Sequence, residues 1–481
     1  MVKISKIRDT YRKLPIQVKA SGWFFICSLV QKAIAVISTI IFTRLMSSED
    51  YGILSIYNSW SDIIYIFATL NLSTGVYNVG MTKFNDRRNE FNSSLQLLAL
   101  FWTLTFGLLF LCLYHYIEVI IQLPFKMIII MFITFCTLPA YNLWCAKQRY
   151  ESKYRSLVVV TVLYAIIILL ASLIAVVYCK DKSFAKILSN AIIIVLFGGG
   201  LFFRNLCFKG KKINKEFVYF ALKFNLPMIP AFLAMVILNQ IDRIMISNQV
   251  SLAKAGIYSV AYNSAMFISI LSTAINATYN PWLMQKIHNK EFGNISEITK
   301  IISVLFISVI LVFIILAPEL IKVMASSEYY EAIYVVPPVA ASTFFTLIYT
   351  YYCPFAQYYL KMRFLVFINI GVAILNVILN YFGIMKFGYL AAGYTTYIGY
   401  LIYGWGTVFY VNKLIIKNFE NKKIYDNKFL FIITIVLTMI MILINFLYKT
   451  YVIRYLLLYI LLMCFWLYRK KIIFIIKSLR C

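Results

Sequence analysis

The sequence is poor in charged residues, and acidic residues are the scarcest of them. Charged residues make up 13% of the 481 positions, and only 18 are Asp or Glu. Ordinary soluble domains are about 25% charged. Because 62% of the residues are hydrophobic and the mean hydropathy is +0.82, the composition excludes a soluble globular enzyme, a disordered chain and a coiled coil. It predicts an all-α polytopic membrane protein.

The sequence also lacks the patterns that metal, nucleotide and nucleophilic sites require. Its two histidines, His115 and His288, are 173 residues apart and have no partner pattern. None of its nine cysteines forms a C-x-x-C motif, and most lie in apolar runs, which is typical of packing residues. The sequence has no phosphate-binding loop and no nucleophile triad. We therefore predict that the protein binds no metal or cofactor and is not an enzyme.

Long apolar runs occupy most of the chain. A membrane-spanning helix needs about 20 apolar residues, and windows of that length predict fourteen spans. The predicted spans are 22–43, 53–79, 94–114, 126–146, 156–178, 187–207, 220–246, 256–279, 300–322, 332–357, 364–385, 389–411, 429–448 and 452–468. Because all the connections are short, the chain has no room for an external catalytic domain.

The basic residues are distributed unevenly between the two sides of these spans. If the N-terminus is cytoplasmic, 34 of the 46 Lys and Arg residues lie in cytoplasmic segments and 11 lie in outer loops and helix ends. The remaining one, Lys32, lies within the first span. Cytoplasmic loops of membrane proteins carry an excess of Lys and Arg, so this bias predicts that both termini are cytoplasmic. It also explains the net charge of +28 without nucleic acid as a partner.

Two hairpins, six spans apart, have similar sequences. Residues 43–59 and 242–264 each contain a basic residue at an outer helix end, a polar loop, and a motif G-I-x-S…Y-N-S that opens the next helix. The matched residues are Gly52, Ser55, Tyr57, Asn58 and Ser59 with Gly256, Ser259, Tyr262, Asn263 and Ser264. The alternative is chance similarity between hydrophobic hairpins. A true repeat predicts two parallel six-helix lobes related by a pseudo-twofold axis along the membrane normal, an arrangement typical of transporters.

The repeat and the charge pattern together divide the chain. We predict an N-terminal lobe over 21–208, a cytoplasmic linker over 209–217 and a C-terminal lobe over 218–412. A cytoplasmic loop, two additional helices and a basic cytoplasmic tail are predicted at 413–428, 429–468 and 469–481. The basic cytoplasmic arm over 1–20 has apolar residues at helical spacing, which is typical of a helix on a membrane surface.

Two blocks of the sequence resemble the polysaccharide-transporter family. Residues 21–60 are similar to the first helix pair of that family. Residues 222–263 are similar to its seventh and eighth helices, including the elements L-P-x-x-P, D-R and G-I-Y-S-x-A-Y. The family contains the O-antigen and capsular repeat-unit flippases. It belongs to the multidrug/oligosaccharidyl-lipid/polysaccharide exporter superfamily.

The resemblance implies a flippase that moves an undecaprenyl-pyrophosphate-linked oligosaccharide to the outer leaflet of the bacterial inner membrane by alternating access. The product would be O-antigen, capsule or exopolysaccharide. Membrane lipids, a polysaccharide polymerase and other assembly proteins are then candidate partners, and a monomer is expected. Coupling to protons, sodium ions or the membrane potential stays open.

Three alternatives to this function stay open at the level of the sequence. A lipid II flippase and a drug/cation exporter belong to the same superfamily. A cavity lysine and fourteen spans favour an anionic substrate over a drug cation. An integral-membrane polysaccharide polymerase or glycosyltransferase would need a large external loop, which this chain lacks.

Two oppositely charged residues lie near the predicted midplane of the membrane. Lys32 is about ten residues into the first span, about 15 Å deep, and Asp62 has a similar depth in the second span. A charged side chain at the bilayer centre costs about 2.5–3.5 kcal/mol, which favours a functional role. Either the two residues form a structural ion pair, or Lys32 binds the pyrophosphate of the substrate. In the second case Asp62 tunes the field of Lys32 or takes a coupling ion.

Other charged candidates lie at the ends of predicted spans. Arg44, Asp242 and Arg243 are near outer ends, where they either snorkel to the lipid headgroups or form part of an outer gate. Arg204 is near the inner end of the sixth span. It either follows the positive-inside rule or helps to recruit an anionic headgroup.

Polar uncharged residues recur on helix faces. The candidates for facing a sugar are Asn58, Tyr65, Tyr262, Asn263 and Asn376. Asn58, Asp62 and Tyr65 follow i, i+4, i+7 spacing, which places them on one stripe of a helix. Such residues either bond to neighbouring helices or line a cavity for sugars.

Two prolines, Pro227 and Pro230, fall inside the seventh span. Proline has no backbone N–H and disrupts the helical ladder. The pair therefore predicts a kinked helix, and the kink is either passive or part of a gate.

We predict that reporter fusions at residues 83 and 420 report a cytoplasmic location, because both positions lie in basic segments. Reporter enzymes that are active on only one side of the membrane measure this directly. External readings at both positions would contradict the fourteen-span topology with cytoplasmic termini.

Overall fold

The computed structural model describes residues 15–209, 213–418, 424–461 and 463. These residues form α-helices joined by turns and short 3-10 helices, and none of them forms a β-strand. The predicted all-α fold class is therefore confirmed. Most of the predicted arm over 1–20 and all of the predicted tail over 469–481 lie outside the described residues.

The helices of the first half follow the predicted spans, with one early ending. They are α1 Ile16–Leu45, α2 Ser48–Thr69, α3 Val76–Lys83, α4 Arg88–Ile121, α5 Phe125–Tyr150, α6 Tyr154–Tyr178, α7 Lys182–Lys209 and α8 Lys215–Asn225. The second predicted span, 53–79, ends at Thr69 because Leu70 and Asn71 have φ values of 54° and 47°. This left-handed backbone cannot continue a right-handed helix.

The helices of the second half follow a 3-10 turn, Leu226–Met228. They are α9 Ile229–Gln249, α10 Leu252–Ala265, α11 Ile268–Asn289, α12 Ile295–Ile315, α13 Ala317–Met324, α14 Val336–Tyr358, α15 Arg363–Phe387, α16 Ala391–Asn418, α17 Asn427–Leu447 and α18 Tyr451–Leu461. A 3-10 helix, Ser327–Tyr334, precedes α14 and is bent from it by 51°.

The described helices make this chain a multi-pass membrane protein. By length and composition, 10 of its helical segments can cross a membrane, or 11 if the bent segment before and including α14 is one span. Two further predicted spans coincide with α2 and α16, which are long but less apolar, and the last coincides with the short α18. The count of fourteen spans stays a prediction.

Contacts divide the chain into two compact units. The first contains the described residues up to Met46 and Ile53–Val236, and the second contains Ser47–Gly52 and the described residues from Ile237 onward. In the first unit, aliphatic and aromatic side chains form a core cluster, in which the ring centroids of Phe91 and Phe217 are 5.6 Å apart. The border falls within α9, beyond the predicted linker over 209–217. The predicted lobe boundaries stay a prediction.

The second unit includes a short segment, Ser47–Gly52, whose neighbours along the chain belong to the first unit. We call this segment the clasp. The hydroxyl of Tyr329 donates to the backbone oxygen of Ser47 at 2.9 Å, and the backbone N–H of Ser48 donates to Glu328 at 2.9 Å. Backbone and side-chain bonds therefore hold the clasp at the turn that precedes α14.

The clasp meets α10 at two glycines. A Cβ atom on Gly52 would lie 2.0 Å from the carbonyl oxygen of Leu252, and one on Gly256 would lie 2.2 Å from the carbonyl oxygen of Ser48. Only glycine permits backbones to approach this closely. Gly52 and Gly256 are also the first matched pair of the predicted repeat.

We predict that Gly52→Ala lowers the melting temperature of the purified protein in detergent. The added methyl group collides with backbone atoms, and such overpacking costs about 1–3 kcal/mol. The matched control is Gly199→Ala in α7, where an added Cβ meets nothing within 4 Å. Equal melting temperatures for the two variants would show that the clasp does not pack as described.

Candidate functional site

The helix α2 has a polar face that is left exposed. Between residues 51 and 69 most side chains are at least partly buried, and the exposed ones are Asn58, Asp62 and Phe67. Asn58 and Asp62 are four residues apart and lie on one face of the helix. A carboxylate in a membrane-spanning segment normally faces protein partners or a water-filled cavity rather than lipid. We call Asn58 and Asp62 the polar stripe.

Lys32 and Tyr65 lie in the same unit as the polar stripe. Lys32 is partly buried on α1, where the nearby exposed side chains include the apolar Ile26 and Val30. Tyr65 is also partly buried, and its hydroxyl accepts a hydrogen bond from the amide of Asn142 at 2.8 Å. Tyr65 therefore bonds to α5. The predicted ion pair between Lys32 and Asp62 stays a prediction.

The matched hairpin of the second unit places its residues in similar surroundings. Among residues 252–265 of α10 only Asn263 is exposed, as Asn58 is on α2. Ser59 and Ser264 are both fully buried, and each hydroxyl donates to the backbone oxygen four residues earlier. Burial and bonding thus agree at positions that the repeat aligns. The repeat itself stays a prediction.

A buried carboxylate organises the polar core of the second unit. Asp242, on α9, is fully buried. Its oxygens accept hydrogen bonds from Asn380 at 2.5 Å, Tyr258 at 2.5 Å and Thr396 at 2.7 Å. The donors come from α15, α10 and α16. Because a buried charge is tolerated only with such partners, Asp242 ties four helices together.

Arg243, the next residue of α9, is buried beside α10. Its guanidinium donates to the Asn239 carbonyl at 2.7 Å, to the Ser259 hydroxyl at 3.2 Å and to the Gln240 side chain. It also lies 4.5 Å from the ring centroid of Tyr262. Snorkelling to the headgroups, one of the two roles predicted for both charged residues of α9, does not fit this burial. The gate role stays a prediction.

Two of the five sugar-facing candidates belong to this polar core. The hydroxyls of Tyr262 and Tyr400 both donate to the side-chain oxygen of Asn239 at 2.9 Å. The side-chain oxygen of Asn376 accepts from Asn380 at 3.1 Å. Since Tyr262 is 4% exposed and Asn376 is 0% exposed, both bond to neighbouring helices in this structure instead of facing a cavity.

The predicted proline kink coincides with the break between α8 and α9. Pro227 lies in the 3-10 turn, and Pro230 is the second residue of α9, where a missing N–H removes no helical bond. The buried amide of Asn225 donates to the carbonyls of Leu70 at 2.7 Å and Asn71 at 3.1 Å. The break in this span is therefore bonded to the break that ends α2.

The remaining predicted cations, Arg44 and Arg204, are both exposed. Arg44 lies in the last turn of α1, and both of its predicted roles stay open. Arg204 lines a polar pocket of about 130 Å³ in the first unit. Other residues that line it are Asn89, Asn92, Lys147, Gln148, Glu151 and Lys153. Sequence patterns did not single out these residues, because the helix ends that carry them are far apart in the sequence.

The part of the chain that the structure describes offers no obvious metal site. Within it, no three His, Cys, Asp or Glu side chains form a group that could hold a metal ion. The cysteines described there are free thiols.

Solved structures with this fold are membrane transporters. The lipid II flippase MurJ, in an inward closed conformation, has a TM-score of 0.67 at 15% identity, over 93% of this chain and 99% of that one. An inward-facing multidrug resistance MATE family transporter has a TM-score of 0.57 at 13% identity, over 82% and 96%. A transporter from Pyrococcus furiosus has a TM-score of 0.53 at 13% identity, over 85% and 96%. The last two are assigned to the MOP superfamily, so the chain has the fold of that superfamily.

The sequence also matches a known protein family. The profile of the family described as polysaccharide biosynthesis protein matches residues 18–287, which is more than half of the chain. The chain therefore belongs to this family, and the resemblance seen in residues 21–60 and 222–263 is confirmed. A sequence search of curated proteins gave no match.

We predict that Asp242→Ala lowers the free energy of unfolding by about 2–5 kcal/mol, because three interhelical hydrogen bonds of about 0.6–1.7 kcal/mol each are lost. Thermal unfolding in detergent measures the change. The matched control is Asp86→Ala, an exposed residue, which should change stability by less than about 0.5 kcal/mol. If the two variants unfold at the same temperature, the bonds of Asp242 do not stabilise the helix packing of the second unit.

Proposed function

We propose that this protein is a flippase for undecaprenyl-pyrophosphate-linked oligosaccharide repeat units. It moves them from the cytoplasmic to the outer leaflet of the bacterial inner membrane by alternating access. Membership of the polysaccharide biosynthesis family supports a role in O-antigen, capsule or exopolysaccharide assembly. The fold, which is similar to that of the lipid II flippase MurJ, supports transport rather than catalysis.

The observation that carries this proposal is the polar stripe. Asn58 and Asp62 are exposed on a helix whose other faces are largely buried. Sugars are recognised by amides, carboxylates and hydroxyls, which are the groups that this face presents. Asn263, at the matched position of α10, is a second exposed amide. These groups suit the glycan part of the substrate.

Lys32 suits the charged part of the substrate. The pyrophosphate carries about two negative charges, and an outward movement across an inside-negative membrane gains about 2.3 kcal/mol per charge at 100 mV. The electrical potential therefore favours export, and the main barrier is the removal of water from the anion. A lysine at membrane depth lowers this barrier because it supplies the opposite charge inside the protein.

A lipid II flippase is the second candidate. The likeness to MurJ, which covers 99% of that protein, favours it. The family match favours a polysaccharide repeat unit as the substrate. Both substrates share a polyprenyl pyrophosphate, so the same cation and the same polar stripe would serve either one.

The wider arrangement follows from this proposal. Both termini lie in the cytoplasm, and the protein acts as a monomer beside a polysaccharide polymerase and other assembly proteins. Transport is coupled to the membrane potential, to protons or to sodium ions, and needs no cofactor.

We predict that Lys32→Ala abolishes translocation, while Lys32→Arg keeps part of the activity because the charge remains. Asp62→Asn should be milder if Asp62 only tunes the field of Lys32, and equally severe if it carries a coupling ion. Complementation of a strain that lacks its repeat-unit flippase measures activity as surface polysaccharide, with the membrane level of each variant checked by immunoblot.

The control for this experiment is Lys19→Ala, a basic residue near the start of α1. Normal surface polysaccharide from Lys32→Ala would contradict the role of Lys32 and favour a structural ion pair. Rescue of a strain that lacks its lipid II flippase, without rescue of the polysaccharide strain, would favour the second candidate.

A further inference from the structure

The polar pocket of the first unit is separate from the polar stripe, and the transport proposal does not use most of it. It lies where the start of α4, the end of α5 and the end of α7 come together. The positive-inside analysis places these helix ends on the cytoplasmic side. Its volume of about 130 Å³ exceeds the roughly 10–15 Å³ that a single water molecule needs.

Two deeply buried amides present donors to this pocket. Asn92 is 3% exposed, and its side-chain oxygen accepts from the Tyr77 hydroxyl at 3.0 Å. Gln148 is 9% exposed, and its side-chain oxygen accepts from the Ser156 hydroxyl at 2.8 Å. No hydrogen bond joins either NH₂ group to another described residue, and neither nitrogen is fully enclosed, so both open onto the pocket that their side chains line. Both donors are therefore accessible to an acceptor that enters the pocket.

The charged residues around the pocket are mainly cationic. Lys147 donates to the Asn89 side chain at 2.7 Å and lies 4.0 Å from Glu151, and the ammonium of Lys153 lies 2.5 Å from the same carboxylate. Arg204 is exposed at the rim and forms no ion pair with another described residue. Three cations thus face one carboxylate, which leaves the pocket positively charged.

Two amide donors, two ammonium groups and a guanidinium converge on one small polar cavity. An anion with several acceptor oxygens matches this set, because guanidinium and amide groups donate to oxyanions with strong, directional bonds. We propose that this pocket is a binding site for a phosphate or pyrophosphate group at the cytoplasmic surface. The group belongs either to a lipid headgroup or to a free anion. The lipid-linked case rests on the proposed function, whereas the anion chemistry does not.

The first test uses the purified full-length protein and soluble inorganic pyrophosphate, measured by isothermal titration calorimetry. The wild-type protein should bind it, and Arg204→Ala should bind about tenfold more weakly because a charge-assisted bond is lost. Asn92→Asp should also weaken binding at least tenfold. This substitution keeps the size of the side chain and the acceptor for Tyr77 but replaces the amide donor with a negative charge.

The matched control is Arg155→Ala, which removes an exposed charge at the start of α6 outside the pocket. It should leave the binding constant unchanged. Equal affinity in wild type, Arg204→Ala and Asn92→Asp would overturn the proposal, as would absence of both pyrophosphate binding and lipid-dependent stabilisation. Normal melting temperatures for the variants would confirm that they fold.

A second test distinguishes the two sources of the anion. Nanodiscs that contain phosphatidylglycerol are compared with nanodiscs of phosphatidylcholine alone, and the melting temperature is measured in each. Stabilisation by the anionic lipid that Arg204→Ala removes assigns the site to a lipid headgroup, and binding of soluble pyrophosphate alone assigns it to a free anion. Neither assay measures transport. The pocket proposal can therefore fail while the flippase proposal stands, and the flippase proposal can fail while the pocket proposal stands.

Discussion

The structure depends on one constraint: within a bilayer, a polar group must find its partner in the protein or in water that the protein admits. The two units meet this constraint in different ways. In the second unit, Asp242 is sealed from water, and three donors from three other helices satisfy it. In the first unit, Asn58 and Asp62 are left exposed on an otherwise buried helix. The first arrangement links four helices, and the second places two polar side chains on an exposed face of α2.

Backbone groups at the helix breaks also find hydrogen-bond partners within the protein. The amide of Asn225, at the end of α8, donates to the carbonyls of Leu70 and Asn71, which directly follow the end of α2. The clasp, at the other end of α2, bonds through its backbone to Glu328 and Tyr329. The helix that carries the polar stripe is therefore anchored at both ends by bonds to its backbone.

The sequence predicted the helices well, because a span of apolar residues is a local signal. It also marked Asn58 and Asn263 through the repeat, and both are exposed. It could not predict the burial of Asp242, since the bonds to Asn380 and Thr396 join residues 138 and 154 positions apart. The early end of α2 at Leu70 was missed because neither Leu nor Asn there is a strong helix breaker. The amides of the polar pocket have no common spacing, so only the folded chain brings them together.

The central claim is that the protein carries a lipid-linked oligosaccharide across a bilayer. The most direct measurement reconstitutes the purified protein into liposomes that contain polyprenyl-pyrophosphate oligosaccharide with a fluorescent sugar. A membrane-impermeant reductant that quenches the dye irreversibly is then added outside. The account predicts that all of the fluorescence becomes quenchable within minutes, faster when the lumen is electrically negative, while protein-free liposomes retain about half. If liposomes with the folded protein also retain about half of their fluorescence, whichever side of the membrane is electrically negative, the account is contradicted.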